Sequence, residues 1–92
     1  MSEFTPLTAN PSDSHVLLLD SSQPLTALLD CAELRLSAAY GLLDSVTCMT
    51  IKTVDRHDLI NVSEAARVLV ADALDLYKTA RALSARGEVA HG

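Results

Sequence analysis

The chain has little aromatic content, few glycines and prolines, and few positive charges. Aromatic residues make up 3% of its 92 positions: Phe4, Tyr40, Tyr77 and no tryptophan. A core must therefore be built from aliphatic side chains and alanine. Gly41, Gly87 and Gly92 are the three glycines, so there is no glycine-rich loop to cradle a phosphate. Seven Lys and Arg stand against twelve Asp and Glu, for a net charge of -5. That balance argues against the clustered basic surface on which nucleic-acid binding rests. No apolar run approaches the ~20 residues of a membrane-spanning helix. The first thirteen residues carry no Lys or Arg, and Val16-Leu17-Leu18-Leu19 is too short for a secretory hydrophobic region. Two cysteines, Cys31 and Cys48, lie 17 positions apart. On one straight helix that separation is roughly 25 Å, far beyond the reach of a disulfide. Two free thiols fit a reducing compartment, so the expected location is the cytoplasm.

What the chain does have is aliphatic periodicity. Residues 1–14 hold Pro6, Pro11 and several Ser and Thr with no repeat, and read as a flexible N-terminal arm. Val16–Leu19 reads as a short extended segment. A helix is expected next, with Ser21 or Ser22 as N-cap and Pro24 in the first turn. Leu25, Leu29, Ala32, Leu36, Ala39, Leu43 and Val46 follow in steps of four and three, a heptad seam. Leu28, Leu42 and Met49 form a second lane. The β-branched residues around Thr50–Val54 predict fraying there.

A second helix follows. Asn61 with Glu64 makes a capping-box spacing, while Asp55 or Asp58 would cap an earlier start. The seam Leu59, Val62, Ala66, Leu69, Ala73, Leu76, Ala80 and Leu83 favours the early start. Val70, Leu74 and Tyr77 form its second lane, and Gly87 is the expected stop, with 88–92 a frayed tail. The expected fold is all-α: an antiparallel two-helix hairpin over residues 15–87. Alanine recurs at seven-residue intervals, at 32 and 39 and at 66, 73 and 80, which predicts a close helix contact within the hairpin or across a dimer. One hairpin cannot cover both lanes of each helix. A homodimer forming a four-helix bundle would, with Leu28, Leu42, Met49, Val70, Leu74 and Tyr77 as its interface.

Chemistry-bearing residues are sparse. Asp55-Arg56-His57-Asp58 suggests a His57 base oriented by a carboxylate, but consecutive helical residues do not face one another, and a solvated first turn explains them. His15, His57 and His91 are far apart, and no His-x-x-x-His, Cys-x-x-Cys or Glu-x-x-His spacing occurs, so no metal site is assigned. Cys31 has Arg35 four residues on, weak support for a reactive thiol; two small hydrophobes on helix flanks is the plainer reading. Tyr40 and Tyr77 read as flank tyrosines with wet hydroxyls. Asp30, Glu33, Asp44, Asp72 and Asp75 scatter without forming a dense row, as on a solvated face.

The segment His15–Gly87 resembles a family of short uncharacterised bacterial helical-hairpin proteins, a domain of unknown function. The likeness rests on the apolar segment ending in Asp20, on Leu25-Thr26-Ala27-Leu28-Leu29, Cys31-Ala32-Glu33 and Ser37-Ala38-Ala39, and on an amphipathic helix from Ala65 to Leu83. It implies a bacterial helical hairpin and brings no catalytic residue, cofactor or activity.

The functional expectation is a non-enzymatic interaction or regulatory module that works as a homodimer and can take a further protein partner. No catalytic, cofactor or metal residue is expected, and neither nucleic acid nor membrane is an expected partner. One alternative is a small ligand-binding or catalytic bundle with Cys31, Tyr40 or His57 pointing into a pocket between helices. Another is an acidic, antitoxin-like inhibitor of a basic protein.

Overall fold

The structure is a computed structural model and describes residues 3–48 and 55–91. In chain order it has strand β1 (Phe4–Pro6), a 3-10 turn (Pro11–Asp13), strand β2 (Leu18–Asp20), helix α1 (Leu25–Thr47) and helix α2 (Arg56–His91). The two helices pack along one another as an antiparallel pair, and β1 and β2 form a two-stranded antiparallel sheet.

The start of α1 differs from the sequence expectation. Pro24 occupies the N-cap with extended backbone, and no side chain caps the helix. Ser22 is already engaged: its backbone N–H and its hydroxyl both donate to Asp20 Oδ1, at 3.0 and 2.5 Å. The Gln23 side-chain amide donates to Asp20 Oδ2 at 2.9 Å. The carboxylate thus closes the β2–α1 turn, and the helix begins after it. At the other end α1 stops at Thr47 with Cys48 as C-cap. The expected fraying at 50–54 lies outside the described residues.

Helix α2 takes the early start. The Asp55 carboxylate accepts the His57 N–H at 3.3 Å, and the Asp55 carbonyl accepts the Leu59 N–H at 3.0 Å. This is N-cap geometry two residues into the helix. The expected stop at Gly87 is not used. No described glycine has positive φ, and the helix runs on to His91.

The alanine seam closes inside the single chain. Ala32, Ala39, Ala66, Ala73 and Ala80 are all buried, with Ala32 at 0% and Ala39 and Ala73 at 1% exposure. Leu28, Leu76 and Leu19 of β2 complete the core. The helices meet where side chains are a single methyl, so the contact between them is close and thin.

Residues 3–20 lie across this helix pair as a strap. Sequence reading finds no strand in residues 1–14, because three residues including a proline give no alternation to detect. The structure pairs Phe4 with Asp20, Thr5 with Leu19 and Pro6 with Leu18. Pro6 is tolerated because the sheet has only two strands, both of them edges. Asn10 ties the connecting loop: its amide donates to the carbonyls of Leu7 and Leu17, and its Oδ1 accepts the Leu17 N–H at 2.9 Å. Ser12 and Asp13 both adopt positive φ at the tip of this loop.

Candidate functional site

Two surfaces lie on opposite sides of the helix pair, and each is defined by what the strap does. On the strap side, Leu19 inserts between the helices above Leu28 and Leu76, and Leu7 packs beside it. A cleft of about 270 Å³ remains under the strap. Its apolar walls come from Leu7, Leu18, Leu19, Ala27, Leu28 and Leu76. Asp20 and Gln23 line one end, and Cys31, Arg35 and Asp72 the other. Gln23, Ala27, Cys31 and Arg35 recur every four residues, so the cleft runs along α1 for about three turns.

The Arg35 end carries the most charge. Arg35 Nε lies 3.5 Å from Asp72 Oδ2, and Arg35 Nη1 donates to Cys31 Sγ at 3.0 Å. The Asp72 side chain is 14% exposed and that of Arg35 36%. On α2, one turn beyond Asp72, Asp75 holds the strap: its carboxylate accepts the Thr8 N–H on Oδ2 and the Thr8 hydroxyl on Oδ1, each at 2.7 Å. At the far end of the cleft the Asp20 carboxyl is held below the usual carboxylate range, first by Gln23 and then by Ser22. Its desolvation opposes this only weakly.

The other side has no strap. Leu25, Leu29, Leu36 and Leu43 share one lane of α1 by heptad spacing, and all four are exposed, Leu36 at 43% and Leu43 at 47%. Leu59, Val70 and Tyr77 share a lane of α2, with Leu74 beside it at 52% exposure. A groove lined by Leu25, Leu29, Tyr77, Ala80, Arg81 and Ser84 joins the two lanes. The heptad seam of α1 is therefore divided in function. Its alanines face α2, and its leucines face outward on the open side.

The six residues expected to form one interface separate across the molecule. Leu28 is buried beneath Leu19, within the chain's own core. Leu42, fourteen residues on, follows the same flank as Leu28 and Arg35 and is half-buried. Val70, Leu74 and Tyr77 lie on the open side, Val70 half-buried and the other two exposed. Met49 lies outside the described residues. The second lanes of the two helices thus point to opposite faces, which one-helix periodicity cannot reveal.

Of the three residues proposed for an enclosed pocket, Cys31 alone lines the cleft. Tyr40 is 72% exposed and His57 is exposed in the first turn of α2. Both cysteines are free thiols, Cys31 half-buried and Cys48 exposed. Among the described residues no three His, Cys, Asp or Glu converge on a point that could hold a metal ion, and no helix is long and apolar enough to cross a membrane. Comparison with known protein families, with curated proteins and with solved structures finds no match.

Proposed function

We propose that this protein is a non-enzymatic interaction module whose working surface is the open face of the hairpin, and that it acts in the cytoplasm as a homodimer. In the dimer two open faces meet about a twofold axis, making a four-helix bundle with both straps on the outside. The observation that carries this reading is the division of the α1 seam: the alanines are already used within the chain, and the leucines in register with them are left uncovered. A contiguous apolar face of this kind marks an interface.

The magnitudes favour self-association. Covering a half-exposed leucine contributes on the order of 1 kcal/mol. About eight such side chains on each copy would supply on the order of 16 kcal/mol, against roughly 4–15 kcal/mol for lost rigid-body freedom. The two free thiols support a reducing compartment. The acidic-inhibitor reading is weakened, because Asp72 and Asp75 are engaged within the chain.

The test is Leu74→Glu. A charge at this exposed position leaves the hairpin core untouched and should convert the protein to monomer by sedimentation velocity, with helical content retained. A dimer that survives the substitution rules out the open face as its interface.

A further inference from the structure

The cleft beneath the strap carries an inference independent of the dimer. At Nη1, Arg35 is a strong donor with a weak acceptor. Its Nη1 N–H is donated to the Cys31 thiol at 3.0 Å, and sulfur accepts hydrogen bonds poorly. Asp72 pairs with the guanidinium at Nε, 3.5 Å away, and so aims it while Nη1 is turned to the thiol. A guanidinium fork of this kind matches a carboxylate in two parallel hydrogen bonds. From that end the cleft runs over leucine side chains toward Gln23 and Asp20. Each end of the cleft carries a carboxylate, but Asp72 is offset by the Arg35 charge, whereas Asp20 has only the neutral partners Ser22 and Gln23 and repels an anionic head. The polarity of the cleft therefore fixes a direction, with head at Arg35 and tail toward the β2–α1 turn. The cleft, of about 270 Å³, has room for a short alkyl chain and its head group.

We propose that this cleft binds a medium-chain aliphatic carboxylate, its methylenes against Leu7, Leu19, Leu28 and Leu76 and its carboxylate taking the Arg35 N–H now donated to Cys31. The strap is the roof of the site, and Thr8 on Asp75 is the latch that holds the roof down. A ligand held under the strap should tighten that latch. The alkyl chain supplies contact area, and Arg35 supplies the choice of head group.

The experiment titrates the full-length protein with octanoate, octan-1-ol and octylammonium, following methyl and amide resonances by NMR. Octanoate should saturate, with shifts confined to Leu7, Leu19, Leu28, Leu76 and the strap. Octanol should bind at least tenfold more weakly and octylammonium not at all. Arg35→Gln should weaken octanoate at least tenfold and leave octanol unchanged, while Arg35→Lys should retain part of the preference. Circular dichroism melts of both variants establish that they are folded. Three results would overturn the proposal: no saturable octanoate binding at millimolar concentration, saturation that maps to Leu36, Leu43 and Leu74, or equal binding of octanoate and octanol in the folded wild type. Leu74→Glu serves as a control, since octanoate binding should be the same whether or not that substitution dissociates a dimer.

Discussion

Thr8 holds both oxygens of the Asp75 carboxylate, its backbone N–H on one and its hydroxyl on the other, each at 2.7 Å, across 67 positions of sequence. This pair joins the strap to α2 beside the apolar contacts of Leu7 and Leu19 with the core. Asp75→Ala removes both acceptors. Hydrogen bonds to a charged group contribute about 1.5–3 kcal/mol where they are protected, and these are exposed, so the expected loss of stability is about 1 kcal/mol. The loss should be local. Amide exchange of Leu7 and Ser21, which donate to Leu17 and Glu3 across the strap, should accelerate, while the amides of α1 around Ala39 keep their protection. Uniform acceleration throughout the chain would show that the strap and the helices open as one unit.

Ala73 sits in the seam at 1% exposure, with α1 directly against it. Ala73→Leu should cost about 1–3 kcal/mol, because a larger side chain forces the helices apart. Urea denaturation reads this as a lower midpoint with little change in slope. A neutral result would mean that the helices are further apart than the burial of the five alanines implies.

Gly41 lies within α1 on the exposed side, and a Cβ added there meets nothing within 4 Å. A close helix crossing, one explanation of a mid-helix glycine, is therefore not its reason. Gly41→Ala should stabilise the protein by roughly 0.5–1 kcal/mol through helix propensity alone. Thermal melts should show the gain, and a loss of stability would place an unseen contact at this position.

Asp20 titrates with the turn it closes. Its folded value is depressed, so its contribution is present above the unfolded value and disappears as pH falls through the folded one. The Ser22 amide and the Gln23 side-chain amide should report a common midpoint below that of an aspartate in an unfolded chain. Asp20→Asn should abolish the transition. A midpoint at or above the unfolded value contradicts the hydrogen bonding seen in the turn.

The helices were legible in the sequence because their signal repeats. Leucine and alanine in steps of three and four define two long amphipathic segments whatever surrounds them. The alanine register foretold a close contact, and only the burial of Ala32, Ala39, Ala66, Ala73 and Ala80 in one chain makes it intramolecular. The strap was not legible. Phe4–Pro6 is too short to show alternation, and its partner strand was read without it. Nor does local sequence show that Asp20 engages Ser22, which turned a plausible serine cap into a proline one. The cleft was missed for a related reason. Arg35, Asp72 and Leu7 are scattered in sequence and meet only when the strap is laid down.

In the proposed dimer a second copy of the chain covers the open face. Light scattering coupled to size-exclusion chromatography, across a hundredfold range of concentration, tests it most directly. The expected result is a mass near twice the 9.8 kDa of the chain that holds on dilution into the micromolar range. A mass of one chain at every concentration would contradict it.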